Sequence, residues 1–203
     1  MRRKFRCILA VSLVSLLGAC SILPESDPLI VYQLPAAHET VVPSFSGLSA
    51  KTLSVFTPYA GSFLDSNRIA VAPDGNRLSV YEGSRWNDFA PVVFRNRLIR
   101  DMRRISDLKA VDNERENLFA DYQLRGDLVD FQVVYRNEQP TVVISFEASL
   151  VNSQSGRVID SRHFSVAEPV DGSQVPEVVQ AFGQASSRIN HDIIQWVYRV
   201  AGK

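Results

Sequence analysis

Thiols are scarce in this chain. Of its 203 residues only Cys7 and Cys20 are cysteine, too few for a disulfide framework or a thiolate metal centre. The three histidines, His38, His163 and His191, stand alone. None forms the spacing-of-four pair by which a helix presents two imidazoles to one metal, so no metal site is indicated. Neither sign of charge is in excess, with 22 Lys+Arg against 22 Asp+Glu, so nucleic acid is not an expected partner. No apolar run reaches the ~20 residues of a spanning helix. A Gly-x-Ser-x-Gly elbow and a phosphate-binding glycine loop are both missing; Gly61 and Gly75 sit in turn-like surroundings. No internal repeat or low-complexity stretch is visible. No cofactor is indicated.

The first twenty residues are informative. Arg2, Arg3, Lys4 and Arg6 precede an apolar stretch from Ile8 to Leu17, which leads into Leu17-Gly18-Ala19-Cys20. A basic start, a short apolar segment and small residues before a cut site make an export signal. The four residues ending at Cys20 resemble the lipobox of bacterial lipoproteins. That resemblance implies cleavage before Cys20, a diacylglyceryl thioether on its sulfur and a further acyl chain, such as palmitate, on the new N-terminus. Each buried methylene of such an anchor contributes about 0.8 kcal/mol, and two or three chains hold durably where one does not. Ser21 follows the cysteine, which in the sorting rule of Gram-negative lipoproteins resembles the outer-membrane class and implies the periplasmic face of that membrane rather than the inner one. Cleavage leaves 18 basic against 22 acidic residues, a net charge of −4. Residues 1–19 are therefore expected to be a signal peptide, 20–28 a lipidated tether and 29–203 one domain.

The expected body is α+β. Strand patterns appear at 29–34, 52–56, 68–72 and 78–81, the last two flanking the turn residues Pro73-Asp74-Gly75-Asn76. A helix follows, capped by Asn87, with Phe94, Leu98, Met102 and Ile105 on one face. Residues 122–135 read as a long strand whose apolar phase changes near Gly126, predicting a bulge there. Val142, Ile144, Phe146, Ala148 and Leu150 alternate with more polar neighbours, the mark of a half-buried strand. A turn at 152–156 and a returning strand at 157–166 come next. The final helix, from about Val175 to Val200 with Ser173 as cap, repeats apolar residues at three or four through Val178, Phe182, Ala185, Ile189, Ile193 and Trp196. The order β-β-β-β-α-β-β-β-α predicts one mostly antiparallel sheet with both helices packed on one face.

Candidate chemistry is thin. Asp127 with Asp130, Glu114 with Glu116, and His191-Asp192 read as solvated charges, since acid–base work needs a shared pocket. An envelope hydrolase would need His163 or His191 in a cleft with a Ser and a carboxylate. Tyr81 and Trp86 bracket the passage into the first helix; they either pack beneath it or contact a partner or lipid.

Three stretches carry a resemblance: Phe63-Leu64-Asp65-Ser66-Asn67-Arg68-Ile69-Ala70, Asn76-Arg77-Leu78-Ser79-Val80-Tyr81, and Ser84-Arg85-Trp86. Together with the Val31-Tyr32-Gln33-Leu34 strand after the lipobox, the alternating strand before Asn152 and the long last helix, they resemble the ABC-type transport auxiliary lipoproteins of the paraquat-inducible protein C type. The resemblance implies a non-enzymatic accessory of a transport system that contains a mammalian-cell-entry-domain protein and an ABC permease and moves lipids or hydrophobic compounds across the envelope. A homo-oligomer matching a ring-shaped partner is a further expectation, and a stand-alone lipid-binding carrier is the alternative.

Overall fold

A computed structural model describes residues 28–36, 45–116, 119–136 and 138–202. Eight strands and two helices follow in the order β1 (Ile30–Tyr32), β2 (Thr52–Val55), β3 (Arg68–Asp74), β4 (Arg77–Trp86), α1 (Ala90–Ile105), β5 (Ala110–Asn113), β6 (Tyr122–Arg136), β7 (Gln139–Asn152), β8 (Val158–Pro169) and α2 (Val175–Ala201).

All eight strands form one mixed sheet. The 15-residue β6 is its spine. On one side β6 runs antiparallel to β7 from Tyr122 opposite Asn152 to Arg136 opposite Gln139, and β8 continues the antiparallel run beyond β7. On the other side β6 has two parallel neighbours in succession. β2 pairs with its beginning, Leu53 opposite Tyr122, and β3 with its later part, Val71 opposite Val133. β5 lies parallel to β2, β4 antiparallel to β3, and β1 parallel to β4.

Four of these seven pairings are parallel, which corrects the expectation of a mostly antiparallel sheet. Hairpin chemistry marks only antiparallel neighbours. Parallel partners are joined by long crossovers with no turn signature, three of the four here containing α1. The expected strand order also lacked β5, whose sequence Ala-Val-Asp-Asn offers a single buried apolar residue, Val111.

The phase change expected at Gly126 falls two to three residues later, where the register slips between Leu128 and Asp130. Gly126 has a different role: a Cβ there would lie 1.9 Å from the Glu147 carbonyl oxygen, so only glycine lets the two backbones approach so closely.

Helix capping also departs from expectation. α1 begins after Phe89 without a side-chain cap, the Ala90 N–H donating instead to the Ser66 carbonyl, and Pro91 occupies its first turn. α2 begins after Gln174, not Ser173, and the Gln174 N–H donates to Glu177 Oε2 at 2.7 Å.

The core is an aromatic cluster centred on Phe131 of β6. Phe182 of α2 lies 4.8 Å from it between ring centroids, Trp86 5.8 Å and Phe94 of α1 6.4 Å. Phe94 also meets Phe146 at 5.3 Å. Both helices therefore reach the same side of β6. Every member of the α1 stripe is buried, as is the α2 stripe from Val178 to Trp196. Trp196 closes the far end, donating its Nε1–H to Asp160 at 2.8 Å. Removing the largest ring tests this arrangement: Trp86→Ala is expected to destabilise the fold by about 3–5 kcal/mol, read as a lowered urea midpoint with little change in slope.

Candidate functional site

The side chains that could perform chemistry are dispersed. Cys20 and His38 lie outside the described residues. His163 on β8 meets Glu147 on β7 at 2.7 Å, and serine pairs flank them: Ser145 with Ser165 at 3.0 Å and Ser149 with Ser161 at 2.8 Å. This grouping lies on the open face of the sheet, away from the helices, with the His163 and Glu147 side chains 54% and 52% exposed. The serine hydroxyls bond each other across the strands, and no cleft shields an imidazole-activated oxygen. Asp127 faces Glu147 across the same surface, and Asp130 accepts from Gln132 at 3.0 Å. His191 packs against Phe45, the rings tilted at 45° with centroids 5.3 Å apart. Among the described residues no three His, Cys, Asp or Glu side chains gather as metal ligands.

The two aromatics singled out from sequence have separate environments. Trp86 is wholly enclosed, edge-on to Phe182 at 5.2 Å, and so is a core residue with no surface to offer a partner. The side chains that surround it are far away in sequence, which is why sequence alone left its role open. Tyr81 is half-buried; burial, and then the neighbouring Tyr135 phenol, push its ionisation well above the ordinary tyrosine value.

The polar interior is concentrated where β1 meets the helices. Arg97, 1% exposed, donates from Nε to Asp101 Oδ2 at 2.8 Å and from Nη2 to Ser187 Oγ at 2.7 Å, and it also holds the Pro35 carbonyl. Asn190 donates to the same Asp101 oxygen at 2.8 Å. One guanidinium thus joins α1, α2 and the segment leaving β1. Gly183 permits the approach, since a Cβ there would meet Pro35 Cγ at 2.7 Å. Sequence reasoning missed this clasp, although Arg97 and Asp101 at spacing four beside the α1 apolar stripe were a signal for it.

Three other carboxylates fasten loops. Asp107 accepts from the Gly47 and Leu48 amides at 2.8 and 3.1 Å and from the Tyr198 hydroxyl at 2.7 Å. The Tyr198 bond, then the amides, hold its carboxyl below the usual range. Asp121 is held down by the Thr52 amide and hydroxyl, then by Lys51. Burial pushes Glu114 up, but the Thr57 hydrogen bonds and the Arg95 charge together outweigh it and leave it lowered.

Two concave features are lined by described residues. A polar cleft of about 80 Å³ lies between Gln33, Asn96 and Arg100. An open groove of about 550 Å³ is bordered by Tyr122, Ile159, Asp160 and Val200. No helix among the described residues is long and apolar enough to cross a membrane.

Residues 32–194 match the family of the ABC-type transport auxiliary lipoprotein component. The chain belongs to that family. A curated relative from Bradyrhizobium diazoefficiens, an uncharacterized protein, is 30% identical over 163 residues, covering 78% of this chain. The chain spans only 44% of that relative's length. The family member's fold is similar to the crystal structure of protein XCC0632 from Xanthomonas campestris, with 26% identity, a TM-score of 0.73 and coverage of 85% of this chain and 95% of that one. A second crystal structure, of an uncharacterized protein, shares the fold at a TM-score of 0.66 with 18% identity, covering 84% of this chain and 99% of that one.

Asp101→Ala is expected to leave the Arg97 charge buried without its partner and to destabilise by about 3–5 kcal/mol, measured by chemical denaturation. The lowered carboxylates fix the sign of the pH dependence. Their contribution is present above the ordinary carboxylate range and lost as pH falls through the depressed folded-state values. Asp107→Asn and Asp121→Asn should flatten the acid limb of a stability-against-pH profile, with little change in its slope above pH ~6.

Proposed function

We propose that this auxiliary lipoprotein is exported, cut before Cys20 and held by acyl chains at the periplasmic face of the outer membrane. There it serves as a non-enzymatic accessory to a transport system made of an ABC permease and a mammalian-cell-entry-domain protein, which moves lipids or hydrophobic compounds. The observation that carries this reading is the family match over residues 32–194, on a chain whose residues 17–20 resemble a lipobox. An acyl tether suits an accessory role, because confinement at a surface raises effective concentration and lets a weak contact suffice.

A stand-alone carrier would need a hollow apolar space. The space between helices and sheet is instead filled by the rings of Trp86, Phe94, Phe131 and Phe182, which favours the accessory reading. Self-association on a ring-shaped partner belongs to the same proposal. Strand β8, 12 residues long, pairs only with β7 among the described residues and offers a long open edge for it.

Labelled palmitate should enter the wild-type protein, while Cys20→Ala should take none and run at precursor mass. Purification in mild detergent should bring down the permease and the mammalian-cell-entry protein together; repeated recovery without either would refute the accessory role.

A further inference from the structure

We propose that the sheet corner formed by β1 with the adjoining ends of β4 and β3 is a membrane-contact surface that seats on phospholipid headgroups. The proposal rests on the acyl-anchor reading above. Leu29, Ile30 and Val31 are consecutive large apolar residues, 49%, 53% and 49% exposed. They lie at a sheet edge that is open among the described residues, where β1 pairs only with β4. Soluble proteins blunt such edges with charge or proline, and an edge left apolar calls for a covering surface.

The neighbouring strands add charge. Val31 lies opposite Arg85, and Arg85 lies opposite Arg68. Tyr32 and Trp86, the next pair, turn into the core, so Val31, Arg85 and Arg68 form one row on the outward face. Like charges directly opposite repel. Neither arginine is in an ion pair among the described residues, and the carboxylates nearest in sequence, Asp65, Glu82 and Asp88, pair with neither. A row of phosphates relieves that repulsion and accepts the paired N–H groups of a guanidinium.

The chain length fits this occupant. Cys20 and Leu29 are nine residues apart, a span of at most ~30 Å, so an acylated Cys20 keeps β1 beside the bilayer. Depth follows from the backbone: an open strand edge is too costly in hydrocarbon, which places β1 at the headgroup layer with Leu29 and Val31, on the same face as the arginines, turned toward the acyl boundary. A second copy is a poorer occupant, because a three-residue strand offers too little ladder to hold a chain by strand addition.

Depth-resolved spin labelling of the acylated full-length protein tests this. After acylation no free thiol remains, so Leu29→Cys or Val31→Cys carries a single label. Leu78→Cys, equally exposed at the far end of β4, is the control. In vesicles of phosphatidylethanolamine and phosphatidylglycerol, the ratio of oxygen to nickel-chelate collisions should rise several-fold at 29 and 31 and stay at its solution value at 78. Adding Arg68→Glu with Arg85→Glu, or the milder Arg68→Gln with Arg85→Gln, should return 29 and 31 toward the control while the protein still floats with the vesicles. Flotation with all three labels equally water-accessible overturns the proposal and leaves the anchor standing. Protection that grows with protein-to-lipid ratio shows a second copy on this surface and also overturns it. Failure to float at all refutes the anchor, and this surface with it.

Discussion

The fold is governed by the demand placed on one strand. β6 must satisfy β7 along its whole length on one side and, on the other, two strands that arrive from different parts of the chain. The backbone groups of a buried strand cannot be left without partners, so the sites for β2 and β3 are fixed together. Phe131, on the core face of the same strand, adds a second requirement. It is the ring on which Trp86, Phe94 and Phe182 converge, so the positions of both helices follow from that of β6.

This division accounts for what sequence could and could not reveal. The apolar stripe of α2 and the alternation of β7 were legible because amphipathicity is local: each residue's side is set by its own neighbours at three, four or two positions. The β3–β4 hairpin was legible for the same reason, through Pro73 to Asn76. Strand direction across β2, β3, β5 and β6 was not, because nothing within a strand records which way its partner runs. Cap residues slipped by one or two positions because other acceptors replaced the expected side chains, the Ser66 carbonyl for the Ala90 amide at α1 and the Glu177 carboxylate for the Gln174 amide at α2. The resemblance in residues 63–86 led to the right family, yet part of what makes that stretch distinctive is structural, since Trp86 is a core residue.

The polar interior has a directional logic. Arg97, Asp101, Ser187 and Asn190 gather where the segment leaving β1 crosses the helices, and their partners close around the Pro35 carbonyl. A buried ion pair adds little net stability over an apolar substitute, but it tolerates only one geometry. Its use here fixes the angle at which the N-terminal segment enters the body. That angle sets how the body is oriented relative to the chain that precedes it.

The parallel pairings also bear on the order in which the structure can form. β2 and β3 lie early in the chain, whereas the strand that completes them begins only at Tyr122. A chain emerging from its N-terminus therefore exposes two unmatched strand edges until more than half its length has appeared. Such non-local closure is slow and leaves intermediates prone to mispairing. The arrangement makes early intermediates dependent on protection until β6 is available to close the sheet.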